Sequence, residues 1–384
     1  MTRRNTFPAD SPAAASIAAL RPAFDAGLVK PYTAHRPHSG DAAQRSGART
    51  VDLFLDANEG ASPPREVMEA LATVSPDVLR RYPSARPLEQ RLARLLNLPD
   101  ANVLVTAGGD DALDRCCRTM LGPGLELLLP TPSFEMIPRY ARLRGGAVID
   151  VPWGRGPFPT SAMLDRITPV TRLIAIVSPN NPTGSVAAAD DLRRLSAAAP
   201  HALLLVDLAY TEFADVDLTP VALSLPNAVI VRTFSKAFGL AGLRVGYAAS
   251  SNADVITWLR SVGNPYAASS VSLAVAEACL DLGTGRRSPY FDHVRRERVA
   301  LAEMLAARGA RPYPSQANFV LAEVNDPAGL RASLAAKGIA IRTFPSAPGL
   351  EQAVRITCPG DAGAFERLTR AIADWRADVA SNQL

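Results

Sequence analysis

Short apolar segments alternate with amphipathic segments through the middle of the chain. Leu125–Leu129, Leu173–Val177, Leu203–Val206 and Val229–Arg232 each have the length of a strand and are almost entirely apolar. The segments between them have helical spacing. Strands without polar alternation, joined by helices, are typical of a parallel sheet that helices cover on both faces. We therefore predict an α/β fold with a mostly parallel central sheet.

The pattern changes after Val245–Ala249. Long helical segments follow, and two further strand signals, Phe319–Ala322 and Val354–Thr357, flank a helix at Ala328–Lys337. This order predicts a smaller α+β domain at the C-terminal end. We expect three parts: an N-terminal arm over residues 1–50, a large α/β domain over residues 51–265, with residues 51–75 alternatively counted with the small domain, and the small domain over residues 266–384.

Composition excludes several classes of protein. The chain has 384 residues, 48% hydrophobic and 20% charged, which is ordinary globular usage and suits one large or two ordinary domains. Its net charge of +4 comes without a long run of Lys or Arg, so we expect neither a nucleic-acid groove nor a membrane surface as partner. We also expect no secretory signal and no membrane span. The four cysteines form no CxxC pair, and we expect a cytoplasmic protein.

Residues with chemical function follow directly after the predicted strands. Because the carboxyl ends of parallel strands meet at one edge of a sheet, where ligands bind, we expect a single site there. Lys30, Lys236 and Lys337 are the only lysines, and Lys236 alone lies in such a motif. The motifs are GGDD at 108–111, SPNNPTG at 178–184, DLAY at 207–210 and TFSKAFGLAGLR at 233–244.

The order and spacing of these motifs resemble the class I/II pyridoxal-phosphate aminotransferases of fold type I, most closely histidinol-phosphate aminotransferase. The resemblance extends from about residue 50 to about residue 360. It implies pyridoxal 5′-phosphate as cofactor, an amino donor and a 2-oxo acid acceptor (glutamate and 2-oxoglutarate as the common pair), and a homodimer. The closer resemblance rests on LDANE at 55–59, RYP at 81–83, PSFEM at 132–136, SKAF at 235–238 and LR at 243–244.

The resemblance assigns the central chemistry to four residues. A lysine that forms a Schiff base must lose its proton near neutral pH and then move a proton at the substrate carbon, and Lys236 takes this role. A buried carboxylate keeps the cofactor's ring nitrogen protonated, and Asp207 at the end of an apolar strand is suited to this. Asn181 and Tyr210 resemble the two donors to the cofactor's phenolate oxygen.

The remaining predicted contacts involve the cofactor's phosphate and ring. A phosphate dianion is usually held by a helix N-terminus together with hydroxyls and a guanidinium. Phe134 resembles the aromatic residue that stacks on the pyridine ring. The phosphate candidates are Gly109, Asp110, Thr233, Ser235 and Arg244.

Substrate contacts are predicted from the anionic group that every substrate of such an enzyme carries. A guanidinium binds a carboxylate or phosphate through two parallel hydrogen bonds. Arg355 resembles the family's clamp for this group, and Arg342 resembles a second clamp. Asn58 and Tyr32 resemble contacts from the N-terminal segment.

Two departures from the family pattern keep other functions open. Ser62 stands where the family usually has a tyrosine that reaches the neighbouring subunit's phosphate, and Leu208 replaces a frequent Glu. An aminotransferase for an aromatic or other amino acid, or a decarboxylase, lyase or cyclase that uses the same cofactor, therefore remains an alternative. The same fold also serves as the effector domain of transcription regulators, but prolines and glycines interrupt the helix-turn-helix that residues 1–50 would need to form.

A metal site has no support in the sequence. The four histidines, His35, His38, His201 and His293, form neither an HExxH motif nor another close ligand cluster. We expect no metal.

Overall fold

The structure, a computed structural model, describes residues 50–72, 74–281 and 289–375, together with Phe24 and Val29. The described strands, numbered in chain order, are β1 (Leu53–Phe54), β2 (Val103–Thr106), β3 (Glu126–Thr131), β4 (Ala147–Pro152), β5 (Thr171–Val177), β6 (Leu203–Asp207), β7 (Ala228–Thr233), β8 (Gly246–Ala249), β9 (Arg311–Pro312), β10 (Phe319–Glu323), β11 (Ile339–Ala340), β12 (Arg342–Thr343) and β13 (Ala353–Thr357). The described α-helices are α1 (Arg65–Ala72), α2 (Pro76–Arg80), α3 (Arg86–Leu96), α4 (Gly108–Met120), α5 (Met136–Leu143), α6 (Thr160–Leu164), α7 (Ala189–Ala198), α8 (Thr219–Leu223), α9 (Ala253–Ser261), α10 (Ser270–Asp281), α11 (Pro289–Ala307), α12 (Pro327–Ala336) and α13 (Ala362–Ala373).

A seven-stranded sheet in the order β2-β8-β7-β6-β5-β3-β4 forms the centre of the fold. Strands β4, β3, β5, β6 and β7 are parallel, whereas β8 runs antiparallel to both of its neighbours. A parallel return from β7 would need a long crossover, but the connection at 234–245 contains only the short 3-10 turn Ala241–Leu243. The predicted mostly parallel α/β sheet is confirmed.

Both faces of this sheet are buried. Leu204 and Val206 of β6 belong to one core cluster, whereas Leu203 and Leu205 belong to the cluster on the opposite face. Successive side chains of a strand point to opposite faces, so a strand between two helical layers must be apolar at every position. This explains the continuous apolar segments in the sequence.

The smaller, antiparallel sheet has the order β12-β13-β10-β9. It packs with α11 and α13 around a core that includes Phe291, Phe319 and Ile356. Strand β1 pairs in parallel with β11, so residues 53–54 join the C-terminal part of the chain. The predicted additional α+β domain is confirmed as a feature of the fold.

Helix α10 lies with the large sheet rather than with the small one. Its residues Leu273, Ala276 and Cys279 are buried in a cluster of the seven-stranded sheet, and the helix packs on α1. The division of the chain at residue 265 stays a prediction, and this packing favours a boundary after α10.

Helix α5 begins later than the sequence pattern indicates. The spacing predicts a helix from Ser133, but the helix begins at Met136. Proline lacks an N–H group and its ring collides with the carbonyl four residues earlier, so Pro138 fits only in a first turn. Phe134 and Glu135 therefore precede the helix.

None of the helices in the described ranges has the length and apolar content that a membrane span requires.

Candidate active site

A cavity of about 620 Å³ lies where the carboxyl ends of β5, β6 and β7 face the small sheet. Of the residues predicted for the site, all those within the described ranges line it. Tyr32 lies outside the described residues, and its predicted contact stays a prediction. The predicted residues in the lining are Asn58, Gly109, Asp110, Phe134, Asn181, Asp207, Tyr210, Thr233, Ser235, Lys236, Arg244, Arg342 and Arg355.

Lys236 follows β7 and is half-buried in the cavity wall. Its Nζ donates a hydrogen bond to the carbonyl oxygen of Ala57 at 3.0 Å. Burial, followed by the positive charge of Arg355, lowers the pKa of Lys236 from 10.5 to about 8. A larger fraction of this amine is therefore unprotonated near neutral pH than for an ordinary lysine, as a nucleophile requires.

Asp207 is the last residue of β6 and is 5% exposed. Burial raises the pKa of Asp207 to about 7, although a hydrogen bond that its Oδ1 accepts from the Ala209 N–H at 3.0 Å opposes the shift. A buried carboxylate is stabilised when a cation takes a place beside it. Asp207 is thus suited to a cationic N–H group.

Tyr210 and Asn58 are hydrogen-bonded at the floor of the cavity. The Asn58 Nδ2 donates to the Tyr210 hydroxyl at 3.1 Å. Thr357 holds Asn58 in turn, because its Oγ1 accepts from the Asn58 N–H at 3.1 Å and donates to Oδ1 at 3.2 Å. Burial raises the pKa of Tyr210 to about 12, so its hydroxyl stays protonated and able to donate.

Hydroxyl, guanidinium and carboxylate side chains meet in one corner of the cavity, where helix α4 begins. Arg244 donates to the Oγ of Ser235 at 3.4 Å and to a carboxylate oxygen of Asp110 at 3.0 Å. The Thr233 hydroxyl donates to Ser235 at 2.9 Å. A Cβ at Gly246 would lie 2.5 Å from the carbonyl carbon of Gly108, so only glycine lets β8 pass this close to the helix start.

The chemistry of these groups fits pyridoxal 5′-phosphate. Its phosphate matches a corner that has a helix N-terminus, two hydroxyls and a guanidinium. Its aldehyde needs a lysine with a lowered pKa, which Lys236 provides. Its ring nitrogen needs a buried carboxyl, which Asp207 provides.

Arg342 and Arg355 stand directly opposite each other on neighbouring strands β12 and β13. Arg355 is 7% exposed, and it donates to Asn181 Oδ1 at 2.5 Å and to the Asp56 carbonyl at 2.7 Å. Its Nε, although buried, has no hydrogen-bond partner among the described residues. Two guanidinium groups on one face repel each other, and an anion between them relieves that repulsion. The pair is therefore a candidate site for the anionic group of a ligand.

The cavity wall also contains residues for which the sequence predicted no role. Asp56, Glu59 and Glu135 lie inside motifs that carried the resemblance, but no role was predicted for them. Phe344 and Leu350 come from the loop between β12 and β13, where no motif marks them. The only signal that could have found the carboxylates was their position beside predicted site residues.

A sequence model of the family "Aminotransferase class I and II" matches residues 53–372 of this chain. The aromatic amino acid aminotransferase of Mycobacteroides abscessus is 35% identical over 333 residues, which cover 84% of this chain and 93% of the relative. The histidinol-phosphate aminotransferase of Rhodospirillum centenum is 35% identical over 352 residues, which cover 88% of this chain and 95% of the relative. Relatives of both kinds are thus equally similar.

Solved structures agree with the sequence relatives. The crystal structure of histidinol-phosphate aminotransferase from Sinorhizobium meliloti in complex with pyridoxal-5′-phosphate has a TM-score of 0.74 and 26% sequence identity to this chain. The similarity covers 84% of this chain and 90% of that one. The predicted fold and cofactor are confirmed at the level of the family.

Proposed function

Because this chain belongs to the class I and II aminotransferase family, we propose that it transfers an amino group between histidinol phosphate and 2-oxoglutarate, with glutamate and the oxo form of histidinol phosphate as the other pair. The chain is a pyridoxal-phosphate-dependent aminotransferase of fold type I. The observation that carries the narrower proposal is the pair Arg342 and Arg355, which stand side by side facing one cavity. Two guanidiniums suit a phosphate dianion or two carboxylates in turn.

The cofactor contacts belong to this proposal. Ser235, Thr233, Arg244 and the start of α4 would hold its phosphate, Phe134 would lie against its ring, and Asp207 would bind its ring nitrogen. Asn181 and Tyr210 would donate to its phenolate oxygen. When bound, the cofactor supplies an electron sink that makes the Cα proton of the substrate removable.

Lys236 has two tasks in this proposal. Its amine would hold the cofactor in the resting enzyme, and once the substrate has freed it the same Nζ would take the Cα proton of the substrate and give it to the C4′ atom of the cofactor. The pKa of about 8 for Lys236 suits a group that must gain and lose a proton near neutral pH. The carbonyl of Ala57 holds Nζ while the amine is free.

Substrate orientation follows from the two arginines. Arg355 is anchored by Asn181 and the Asp56 carbonyl, so it can hold the α-carboxylate of glutamate in one position. Arg342 lies on β12, the edge strand of the small sheet, next to the strand of Arg355. It is available for the second carboxylate of glutamate or, together with Arg355, for the phosphate of histidinol phosphate. The imidazole would then lie toward Asn58.

A second candidate is transamination of aromatic amino acids. Arg342 already has a carboxylate partner, Glu135, at 3.7 Å, and Phe344 adds an aromatic ring to the cavity wall. An uncharged ring could occupy this side while Arg355 binds the α-carboxylate. The aromatic relatives are as similar to this chain as the histidinol-phosphate relatives.

The proposal includes a cytoplasmic homodimer. Tyr82 and Tyr266 stack with their ring centres 4.5 Å apart, and they are 81% and 51% exposed, which supports an apolar contact with a second copy. All four cysteines are buried free thiols, which supports a reducing compartment.

Steady-state assays with purified holoenzyme test the proposal. Glutamate formation from 2-oxoglutarate is measured with histidinol phosphate, phenylalanine, tyrosine and other amino acids as donors. We expect the highest kcat/KM with histidinol phosphate. Good activity with a free aromatic amino acid alone would establish the second candidate, and carbon dioxide release without amino transfer would favour a decarboxylase.

A further inference from the structure

Arg342 and Arg355 stand opposite each other but are held in different ways. Arg355 is buried and makes two hydrogen bonds of 2.5 and 2.7 Å to fixed partners. Within the described part of the chain, the only ion pair of Arg342 is with Glu135, at 3.7 Å. That separation is too long for a hydrogen bond, so this contact is a loose ion pair.

Glu135 lies where a loose partner can leave. It precedes the first turn of α5 rather than standing on the helix, and its side chain is 59% exposed. An ion pair open to water contributes little, because water screens both charges and two long side chains lose freedom. A substrate anion that offers two short hydrogen bonds can therefore displace it.

Because Glu135 lies in the cavity wall, its carboxylate affects which substrate charges the cavity accepts. Glu135, Arg342 and Arg355 all line the same cavity. An anionic group that binds Arg342 must first separate Arg342 from Glu135, and it is then repelled by the nearby carboxylate of Glu135. An uncharged ring leaves the pair intact.

Building on the proposed function, we propose that Glu135 is a specificity-determining residue, a counter-ion that competes with the distal anion of the substrate for Arg342. It disfavours phosphate-bearing and dicarboxylate substrates relative to substrates with an uncharged ring. Glu135 thus sets the ratio between the two candidate activities, while Arg355 serves both.

The first test is the substitution Glu135→Gln, which keeps the shape and removes the charge. The ratio of kcat/KM for histidinol phosphate to that for phenylalanine should rise by about 3-fold to 5-fold, mainly through a lower KM for histidinol phosphate. The matched control is Glu69→Gln, which removes an exposed carboxylate paired with Arg65 at 3.1 Å on helix α1 and should leave the ratio unchanged.

The second test measures binding without turnover. Inorganic phosphate should bind the Glu135→Gln holoenzyme about 3-fold to 5-fold more tightly than wild type, measured by calorimetry. In the Arg342→Met background the same substitution should change phosphate affinity by less than about 2-fold, because the competition has been removed. An equal gain with and without Arg342 would overturn the competition and leave only through-space repulsion.

The failure of this inference differs from the failure of the proposed function. A wild-type enzyme that transfers amino groups but shows the same substrate ratio and the same phosphate affinity after Glu135→Gln refutes the role of Glu135 alone. A folded wild-type holoenzyme that transfers no amino group from any donor refutes the proposed function. Phosphate binding then still tests the competition between Glu135 and the anion.

Discussion

The side-chain amide of Asn58 donates a hydrogen bond of 3.1 Å to the hydroxyl of Tyr210. Asn58 comes from the segment after β1, which pairs with β11 of the C-terminal part of the chain, whereas Tyr210 follows β6 of the large sheet. Asn58 is 1% exposed and has a φ of 54°, a left-handed conformation that asparagine tolerates better than most residues. The bond therefore links the two parts of the fold at the cavity floor.

We expect Asn58→Ala to reduce kcat by about 10-fold and the free energy of unfolding by roughly 1–3 kcal/mol, because Tyr210 and Thr357 lose a buried partner. Asn58→Gly separates the two effects, since glycine relieves the backbone at this φ but restores no hydrogen bond. Its stability should recover in part, and its kcat should not. Denaturant unfolding and steady-state kinetics measure both, and wild-type kcat in Asn58→Gly would contradict the role of the bond.

Asp207→Asn should retain cofactor and lose turnover. The amide has the shape of the carboxyl but cannot balance a protonated ring nitrogen, so we expect kcat to fall by roughly 100-fold or more. Cofactor content is measured by absorbance after denaturation, and kcat by glutamate formation. The control Asp150→Asn changes an exposed carboxylate on the edge strand β4 and should have no effect. Full activity in Asp207→Asn would assign the ring-nitrogen contact to another group.

The sequence predicted most of the fold because burial on both faces leaves a local signal in each strand. Apolar runs such as Leu203–Val206 mark strands wherever they occur, but nothing in such a run tells its direction. The antiparallel course of β8 depends on the absence of a crossover helix in the connection at 234–245. The direction of β8 is therefore determined by the connection that precedes it and not by the residues of the strand.

Site residues that lie in sequence motifs could be predicted, whereas contacts between segments far apart in the sequence could not. Lys236, Asp207 and Arg244 could be found because each comes after a strand predicted from the sequence, and those strands end at the same edge of the sheet. The pair formed by Glu135 and Arg342 joins two distant segments, one before α5 and one in β12. Only the packing of the small sheet against the large one brings those side chains together.

The formation of the cofactor linkage should report the lowered pKa of Lys236. Only the unprotonated amine attacks an aldehyde, so below the pKa the rate falls tenfold with each unit of pH and above it the rate is constant. With apoenzyme and added pyridoxal phosphate, the rate of visible absorbance change should rise with pH and level off near 8, rather than near the 10.5 of an ordinary lysine.

Two variants control this measurement. Lys236→Ala should give no linkage and no turnover at any pH. Lys337→Ala removes an amine that donates to the Ala371 carbonyl at 3.0 Å and pairs with Asp374 at 2.8 Å, away from the cavity, and should leave the midpoint unchanged. A rate that still rises between pH 9 and pH 11 in wild type, well beyond the midpoint of about 8, would show that burial does not shift this lysine.

Gly60→Ala should disturb the loop that carries Lys236. A Cβ at Gly60 would lie 1.8 Å from the carbonyl oxygen of Lys236, which is backbone and cannot swing away. We expect a loss of roughly 1–3 kcal/mol of stability and weaker cofactor binding, measured by thermal unfolding and by cofactor titration. Gly122→Ala is the matched control, since a Cβ there meets nothing within 4 Å. Unchanged cofactor affinity in Gly60→Ala would show that the two segments move independently.

Substitution of Arg355 should lower kcat/KM for every amino donor, whereas substitution of Arg342 should lower it mainly for histidinol phosphate. Arg355→Lys keeps the charge but cannot bond Asn181, the Asp56 carbonyl and a substrate carboxylate together, so kcat/KM should fall by about 100-fold or more for every donor. Arg342→Ala should lower kcat/KM for histidinol phosphate by roughly 10–100-fold, equivalent to about 1.4–2.7 kcal/mol of charge-assisted binding, and affect phenylalanine far less. Equal losses for phenylalanine and histidinol phosphate in Arg342→Ala would show that Arg342 acts on the shared α-carbon end of the substrate, or through Arg355, which stands directly opposite it.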